Sequence, residues 1–343
     1  MTPFCSILPP HLLREIARRG SPEQQQWALR TLSASEQFRG ERRILSAFGA
    51  AAVTPTGAKQ RTVYDARHRT LLPGKLVRSE GSRKSRSVAV NEAYDGAGMT
   101  YDFFAKVFER SSIDGRGLRL DSTVHYGVKY DNAFWNGRQM VYGDGDGELF
   151  NRFTIALDVI GHELTHGVTQ YEAGLLYEDQ PGALNESMSD VFGSLVKQYA
   201  RRQTAKQADW LIGEGLLAEG VKGSALRSMK EPGSAYDDDV LGKDPQPAHM
   251  RDYVETQDDN GGVHINSGIP NRAFYETAIR LGGHAWEKTG RIWYLTLRDR
   301  LRESSDFAAC ARLTGATARD LFGRGSAEEK AVRAGWRTVG VGG

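Results

Sequence analysis

The sequence has few cysteines, no long apolar run and almost no excess of charge. Its two cysteines, Cys5 and Cys310, are too few for a disulfide framework, although a single bridge between them stays open. Lysine and arginine exceed aspartate and glutamate by only 45 to 43, and the one dense basic run, SRKSR at 82–86, is interpreted as a solvated loop. We therefore expect no nucleic-acid partner.

The N-terminal residues resemble neither a signal peptide nor a membrane anchor. Their one apolar patch is short, is broken by Pro9 and Pro10, and is followed by charged residues. We expect no membrane partner and no classical signal peptide, and thus a cytoplasmic precursor that would need a non-classical route to be secreted. Hydrophobic residues make up 39% of the chain and charged residues 26%, which is ordinary for a globular enzyme.

Composition divides the chain into three zones. Residues 1–50 contain seven arginines and four glutamates but neither lysine nor aspartate, and their apolar residues have helical spacing. From about residue 60 to about 155, polar residues alternate with aromatic or β-branched ones, which predicts strands interrupted by one helix in AGMTYDFFAKVFER. Helical spacing then dominates nearly to the end, in stretches at 155–172, 183–202, 268–281, 290–302 and 305–321.

Two histidines and a glutamate lie within the predicted helix, in GHELTHGV at residues 161–168. A helix turns 100° per residue, so His162 and His166 lie one turn apart on one face and both imidazoles can reach one metal ion. Glu163 lies between them, where its carboxylate can act on a water molecule. Chance would produce this pattern with odds on the order of 1% in such a chain, so that alternative requires the rest of the chain to lack further ligands.

A further pair of carboxylates follows in ALNESMSD, on the next predicted helix. Glu186 and Asp190 are four residues apart and therefore share a face. A catalytic zinc needs a third protein ligand and an open position, so Glu186 can complete the set while Asp190 accepts the other N–H of a ligand imidazole. The competing layout with a third histidine ten positions after His162 has no match, because Thr169 and Glu172 occupy the required glycine and histidine positions.

Several segments from about residue 60 onward resemble the thermolysin-like zinc metallopeptidases. They are YDARHRTLLPG, VHYGVKYDNAFWNGRQMVYGDGDG, DVIGHELTHGVTQYEAGLLYEDQPGALNESMSDVFG, LRSMKEPG and DDNGGVHINSGIPNRAFY, in the order of that family. The resemblance implies an α+β, two-lobed fold with a β-rich N-terminal lobe, 51–170, and a mainly helical C-terminal lobe, 171–343. It places the zinc site in the cleft between them and implies a neutral endopeptidase that cleaves peptides and proteins before apolar residues.

The resemblance also implies a role for individual residues. His162, His166 and Glu186 would bind zinc, and Glu163 would pass a proton from water to the departing amine. Hydrogen bonds from Tyr177 and His264 would stabilise the oxyanion, with Asp259 orienting His264 and Asp190 orienting His162. The substrate main chain would contact Asn132, the backbone of Ala133, and Arg227. An apolar pocket for the residue after the scissile bond would comprise Phe150, Phe153, Val159, Ile212, Leu216 and Leu226, of which Phe153 and Leu216 equally suit an ordinary core.

The family's double calcium site is expected to be lost. Its positions correspond here to Asp158, Lys197, Asp209, Leu211 and Glu214. Lys197 replaces the central acid, and its ammonium could neutralise the three carboxylates without calcium.

The short N-terminal segment with PPHLL resembles the protealysin-type subgroup of the family. Residues 1–50 would then be a helical propeptide that covers the cleft as an intramolecular inhibitor. It would be removed autocatalytically in SAFGAAAVTPTG, 46–57, before an apolar residue such as Phe48 or Val53. Cys5 could place its thiolate at the zinc's open position, or could simply pack as a small buried thiol.

We expect the endopeptidase to be a monomer. Two other functions stay open from the sequence. A zinc-bearing binding scaffold without activity would leave Glu163, Tyr177 and His264 without a role. A metallo-aminopeptidase would need an acidic anchor for a free amine, which no motif supplies.

Overall fold

The computed structural model of this chain describes residues 5–47 and 58–342. Within them a sheet occupies the N-terminal lobe and helices dominate from residue 157 onward, which confirms the predicted two-lobed α+β fold. The predicted cleavage junction at 46–57 falls almost wholly outside the described residues. No helix in the described part of the chain has both the length and the hydropathy needed to span a bilayer.

A six-stranded sheet organises the N-terminal lobe in the order β1-β5-β6-β4-β2-β3. Its strands are β1 (Cys5–Ser6), β2 (Arg61–Asp65), β3 (Lys75–Ser79), β4 (Leu120–Val124), β5 (Ala133–Trp135) and β6 (Met140–Tyr142). Strand β4 pairs in parallel with β2 and β6, and the other pairs are antiparallel. The edge strand β1 belongs to the N-terminal segment, so that segment extends the sheet beside β5.

Helices make up most of the remaining regular structure of the described residues. The N-terminal segment forms α1 (Pro10–Arg19) and α2 (Pro22–Ala47), and α3 (Val88–Phe108) packs against the sheet. The C-terminal lobe contains α4 (Leu157–Tyr171), α5 (Asp179–Arg201), α6 (Asp259–Asn266), α7 (Gly268–Leu281), α8 (Thr289–Asp299), α9 (Phe307–Phe322) and α10 (Ala327–Thr338). Two short ribbons lie between α5 and α6, β7 (Leu211–Ile212) with β8 (Arg227–Ser228) and β9 (Asp237–Asp238) with β10 (Gly242–Lys243).

Among the differences from the sequence prediction, two concern α5 and α10. Helix α5 starts at Asp179 rather than 183, because Pro181 lies in its first turn, where no backbone N–H is required. Helix α10 was not predicted. Its sequence is highly charged, and its buried apolar stripe is short, consisting mainly of Ala331, Val332 and Trp336.

The crossing of α4 and α5 places the metal-ligand motifs face to face. A Cβ on Gly193 would lie 2.4 Å from the Asp158 carbonyl oxygen and 2.9 Å from the His162 nitrogen, and one on Gly161 would lie 3.0 Å from the Gly193 Cα. The two backbones therefore touch at a point where neither helix has a side chain. This close approach brings His162 and His166 of α4 against Glu186 and Asp190 of α5.

Candidate active site

Three side chains form a buried group with the geometry of a metal site. Ligand atoms of His162, His166 and Glu186 all lie within 4.8 Å of one another. The two imidazole Nε2 atoms are 3.0 Å apart, and the Glu186 carboxylate oxygens lie 3.4 Å from His166 Nε2 and 3.5 Å from His162 Nε2. All three side chains are almost fully buried. Among the described residues this is the one group of His, Cys, Asp and Glu that meets the spacing for a metal ion.

The hydrogen bonds of the two histidines leave their Nε2 atoms free to bind a cation. His162 Nδ1 donates to Asp190 Oδ1 at 2.7 Å, and His166 Nδ1 donates to Asn185 Oδ1 at 2.9 Å. Burial lowers the pKa of His166 to about 3, so this ring is neutral. Two Nε2 lone pairs and a carboxylate then face each other in a closed space, which is unfavourable without a cation. The donor set fits zinc, for which two imidazoles and one carboxylate are ordinary ligands.

Asp190 connects His162 to Arg227, a residue that the sequence resemblance predicts to bind substrate. Besides His162, it accepts two hydrogen bonds at 2.8 Å from Arg227 Nε and Nη2, and a third at 2.8 Å from Asn271 Nδ2. Burial alone would raise the pKa of Asp190, but the Arg227 guanidinium and the His162 hydrogen bond outweigh it and hold that pKa well below its usual range. A permanent carboxylate thus orients both the ligand His162 and Arg227.

Glu163 is fully buried one residue after His162 but points to the sheet instead of joining the ligand group. Its Oε2 accepts a hydrogen bond from the Trp135 backbone N–H of β5 at 3.0 Å. The carboxylate is therefore held between α4 and β5, the strand with which β1 pairs. This position suits a proton-transferring group beside a metal ion.

Tyr177 and His264 both lie beside Glu186. The Tyr177 hydroxyl donates to Glu186 Oε1 and lies 3.3 Å from His264 Nε2. Asp259 accepts from His264 Nδ1 at 2.8 Å and from its backbone N–H at 3.0 Å. Burial disfavours charge on His264, but the carboxylates of Asp259 and Glu186 outweigh it and raise its pKa to about 8. A protonated His264 can donate from Nε2 into the cleft.

A run of left-handed backbone sets the Asp259–His264 pair. Residues 259–262 have φ between 52° and 81°, with glycine at the last two positions. Gly261 has a φ of 81°, and a Cβ there would lie 2.1 Å from Asp179 Oδ1 and 3.0 Å from the Asp179 backbone nitrogen, so glycine is strongly favoured. This turn folds the Asp259 carboxylate back onto the first turns of α6, where it meets both nitrogens.

Residues 6–8 of the N-terminal segment lie directly in this cleft. Backbone N–H and carbonyl groups make the contacts: Ile7 N–H donates to the Ala133 carbonyl oxygen at 3.1 Å, and Arg227 Nη1 donates to the Ile7 carbonyl oxygen at 3.1 Å. Leu8 N–H donates to Asn132 Oδ1 at 3.0 Å. One residue earlier, the Ser6 carbonyl oxygen accepts from His264 Nε2 at 3.1 Å. The side chain of Cys5 lies outside the described part of the structure.

The predicted apolar pocket residues are all buried next to these elements. Val159 lies on α4 one turn before Glu163, while Ile212 and Arg227 face each other in the β7–β8 ribbon. The Leu226 N–H donates to the Ile212 carbonyl oxygen at 2.9 Å. These residues belong to the same hydrophobic core as Ile7, whose side chain is fully buried, together with Phe150, Phe153 and Leu216.

Lys197 occupies the centre of the positions that correspond to the family's calcium site. Its Nζ lies 2.8 Å from oxygen atoms of Asp158, Asp209 and the Leu211 backbone carbonyl. The prediction was wrong for Glu214, which pairs with Arg201 Nη1 at 3.1 Å instead of with Lys197. Arg201 lies one helical turn after Lys197, so it reaches the more exposed carboxylate.

Sequence reasoning missed the partners that reach the site from neighbouring positions or from other helices. Asn185 and Ser189 both contact His166 Nδ1, at 2.9 and 3.0 Å, and Asn271 contacts Asp190. A single amide or hydroxyl in a helix has no periodic signal of its own. Only the position of Asn185 directly before the ligand Glu186 could have drawn attention to it.

Comparisons with known proteins agree with this geometry. The family model described as "Thermolysin metallopeptidase, catalytic domain" matches residues 50–170, and the one described as "Thermolysin metallopeptidase, alpha-helical domain" matches residues 173–341. A protein named extracellular metalloprotease from Pectobacterium carotovorum subsp. carotovorum is 55% identical over 99% of this chain and 97% of its own length. Protease PrtS of a Photorhabdus strain is 48% identical over 98% of this chain and 92% of its own.

One solved structure is similar over nearly the whole chain. It is the precursor of protealysin, a metalloproteinase from Serratia proteamaculans. The two structures superpose with a TM-score of 0.91 at 56% sequence identity, covering 98% of this chain and 100% of the other. The similarity therefore includes the N-terminal segment as well as the two lobes.

Proposed function

This chain belongs to the thermolysin family of metallopeptidases, and from that premise we propose its specificity and its regulation. It is a metalloendopeptidase of a zinc-dependent family, and the His-His-Glu group supplies the ligands. We propose that it cleaves peptide bonds before apolar residues. We propose further that it is made as a zymogen whose residues 1–50 block the cleft until the enzyme removes them.

The roles of the chain's own residues follow from their positions. A zinc ion held by the His-His-Glu group would polarise the peptide carbonyl and make a water molecule more acidic. Glu163 would accept the proton of the attacking water on its carboxylate and deliver it to the amine nitrogen as the C–N bond breaks. His264 Nε2 and the Tyr177 hydroxyl would donate hydrogen bonds to the oxyanion, at the place where His264 now meets the Ser6 carbonyl oxygen.

The contacts of residues 6–8 carry the zymogen proposal. Two successive residues, Ile7 and Leu8, use the groups predicted to bind a substrate main chain, namely Asn132, the Ala133 carbonyl and Arg227. They directly follow β1, which adds an antiparallel strand beside β5 in the way that extended peptides bind an exposed sheet edge. A substrate cannot occupy these groups while the segment holds them, so the segment acts as an inhibitor.

The same contacts support the proposed specificity. Ser6 presents its carbonyl to the oxyanion donor His264, so Ile7 stands where the residue after a scissile bond would stand. Its side chain is 0% exposed and packs into the apolar core that contains the predicted pocket residues. Burying an isoleucine is worth about 1.5–3 kcal/mol, whereas a charged side chain there would lose its hydration. An apolar preference follows.

We propose residues 51–170 and 171–343 as the two lobes of the mature enzyme, which acts as a monomer. Relatives carry the names extracellular metalloprotease and extracellular minor metalloprotease, which supports secretion, and we propose a route that needs no classical signal peptide. The three oxygen atoms around Lys197 support the loss of the double calcium site. The Cys5 thiolate remains a proposed ligand of the precursor's zinc.

Parallel expression of the wild type, Glu163→Gln and Glu178→Gln tests the zymogen proposal. Glu178 is an exposed glutamate just before α5 and serves as the matched control. We expect the wild type and the control to lose about 50 residues, with a new N-terminus within 46–57, and Glu163→Gln to stay full length with about one zinc per chain. Intact mass and metal analysis give both results.

Two outcomes would contradict the proposal. A full-length wild type with undiminished peptidase activity would show that the segment does not inhibit. A processed Glu163→Gln protein from a protease-deficient host would show that cleavage is not autocatalytic or that Glu163 is not the proton-transferring group.

A further inference from the structure

A second group of chemically reactive side chains lies outside the zinc cleft, where the N-terminus of α3 meets the sheet. Ser87 precedes α3, His125 follows β4, and Asp144 follows β6. Ser87 Oγ lies 3.0 Å from His125 Nε2, and His125 Nδ1 lies 2.9 Å from both Asp144 carboxylate oxygens. The peptidase roles described above use none of these three residues.

The hydrogen-bond directions in this group are determined by its chemistry. An ionised carboxylate only accepts, so His125 Nδ1 carries the proton toward Asp144 and Nε2 is left as the acceptor of the Ser87 hydroxyl. The hydrogen bond with Asp144 raises the pKa of His125, as expected for a base. Histidine thus contacts serine through Nε2 and aspartate through Nδ1. This is the hydrogen-bond chain that serine hydrolases use on unrelated folds.

Donors for an oxyanion are available beside the serine. The first amide groups of a helix have no partner within it, so Val88 and Ala89 offer N–H groups at the positive end of the α3 dipole. Ser87, Val88, Ala89, His125 and Asp144 line one shallow pocket of about 420 Å³, together with Gly147, Asn151 and Arg152. The residues that supply the nucleophile, the base and these amide groups therefore line the same open pocket.

Two further observations distinguish this group from a chance contact. His125 has a φ of 55°, a left-handed conformation that is uncommon for residues other than glycine and that occurs often at functional sites. The basic run at 82–86, whose Arg83, Lys84 and Arg86 are exposed, directly precedes Ser87 in the chain. Positive charge near the serine favours substrates that develop negative charge there.

From this arrangement we infer that Ser87, His125 and Asp144 form a second hydrolytic site, which hydrolyses esters of short-chain carboxylic acids without metal. Ser87 and His125 are the catalytic residues, and Asp144 is a positioning residue. The small, open pocket suits a short acyl group and leaves the alcohol in solvent.

The reaction proceeds through an acyl-serine. Ser87 Oγ attacks the ester carbonyl carbon while its proton moves to His125 Nε2. The C–O bond to the alcohol then breaks, and the departing oxygen takes that proton. Water attacks the acyl-serine in the same way, gives one proton to Nε2, and releases the carboxylic acid as that proton returns to Ser87 Oγ. The sum is ester plus water to acid plus alcohol.

The test uses Glu163→Gln protein in the presence of a zinc chelator, so that the zinc centre cannot contribute. We expect hydrolysis of p-nitrophenyl acetate, and we expect Ser87→Asn and His125→Ala to lower kcat/KM by at least about 100-fold. Asparagine caps a helix as well as serine does, so Ser87→Asn removes the nucleophile and keeps the cap. Ser82→Ala, an exposed serine of the same loop, is the matched control and should keep the full rate.

Mass spectrometry decides where the acyl group resides. We expect the acetyl group and a fluorophosphonate probe on Ser87, and no label on Ser87→Asn. Each variant made in the wild-type background should keep its peptidase activity, which shows that it folds. Unchanged ester hydrolysis in Ser87→Asn, or acetyl groups found on lysines alone, would overturn the inference and leave Ser87 as a helix cap.

Discussion

Replacing Lys197 by methionine should destabilise the protein by an amount that can be worked out from its contacts. The Lys197 ammonium lies 2.8 Å from carboxylate oxygens of both Asp158 and Asp209. Asp158 is 1% exposed and would lose its cationic partner, whereas Asp209 is 20% exposed and keeps Arg201 at 3.3 Å. The penalty therefore falls mainly on Asp158.

Leaving one member of a buried ion pair without its partner costs about 3–5 kcal/mol. An unfolding entropy of about 2.1 cal/mol/K per residue gives about 0.6 kcal/mol/K for the roughly 290 residues of the two lobes. The expected decrease in Tm is thus about 5–8 °C for Lys197→Met. Lys197→Glu should be at least as unstable without calcium, because it adds a third carboxylate beside Asp158 and Asp209.

Calorimetry with and without calcium measures both effects. Millimolar calcium should leave the wild-type Tm unchanged but raise that of Lys197→Glu by about 4–5 °C if calcium binds at about 100 times its Kd, which is worth about 2.7 kcal/mol. Lys206→Met, at an exposed lysine, controls for the loss of a charge and should change Tm by less than about 1 °C. The reasoning is refuted if Lys197→Met has the same Tm as Lys206→Met, or if calcium raises the Tm of the wild type.

Two further substitutions test the zinc site and its inhibitor. Asn185→Ala removes the acceptor at 2.9 Å from His166 Nδ1 and should weaken zinc binding about 10–100-fold in a chelator competition, and an unchanged affinity would show that this hydrogen bond does not orient the ligand. Ile7→Asp places a charge at a fully buried position and should shorten the lifetime of the precursor at least about tenfold in a gel time course, whereas Arg18→Asp, at an exposed position, should not. Equal lifetimes for Ile7→Asp and the wild type would contradict the substrate-like binding of the segment.

Local spacing was enough to predict the group of candidate metal ligands. His162 and His166 share a face because they are four residues apart on one helix, and Glu186 and Asp190 do so on the next. Such pairs depend on helix geometry alone, which every sequence of the right periodicity adopts. Composition likewise predicted the β-rich and helical lobes, since the two periodicities differ along the chain. The lysine at position 197 could also be recognised from the sequence, because a residue type at a single position needs no tertiary information.

Tertiary packing decided which partner each of these groups meets. Arg227 contacts Asp190, 37 residues away in the sequence, and Ile7, 220 residues away. Glu214 forms its ion pair with Arg201 rather than with Lys197. These contacts depend on the glycine crossing of α4 and α5 and on the pairing of β1 with β5, neither of which has a periodic signal. Ser87, His125 and Asp144 met for the same reason: each ends or begins a different element. A hydrogen bond extends only about 3 Å, so its partner is decided by where whole elements pack.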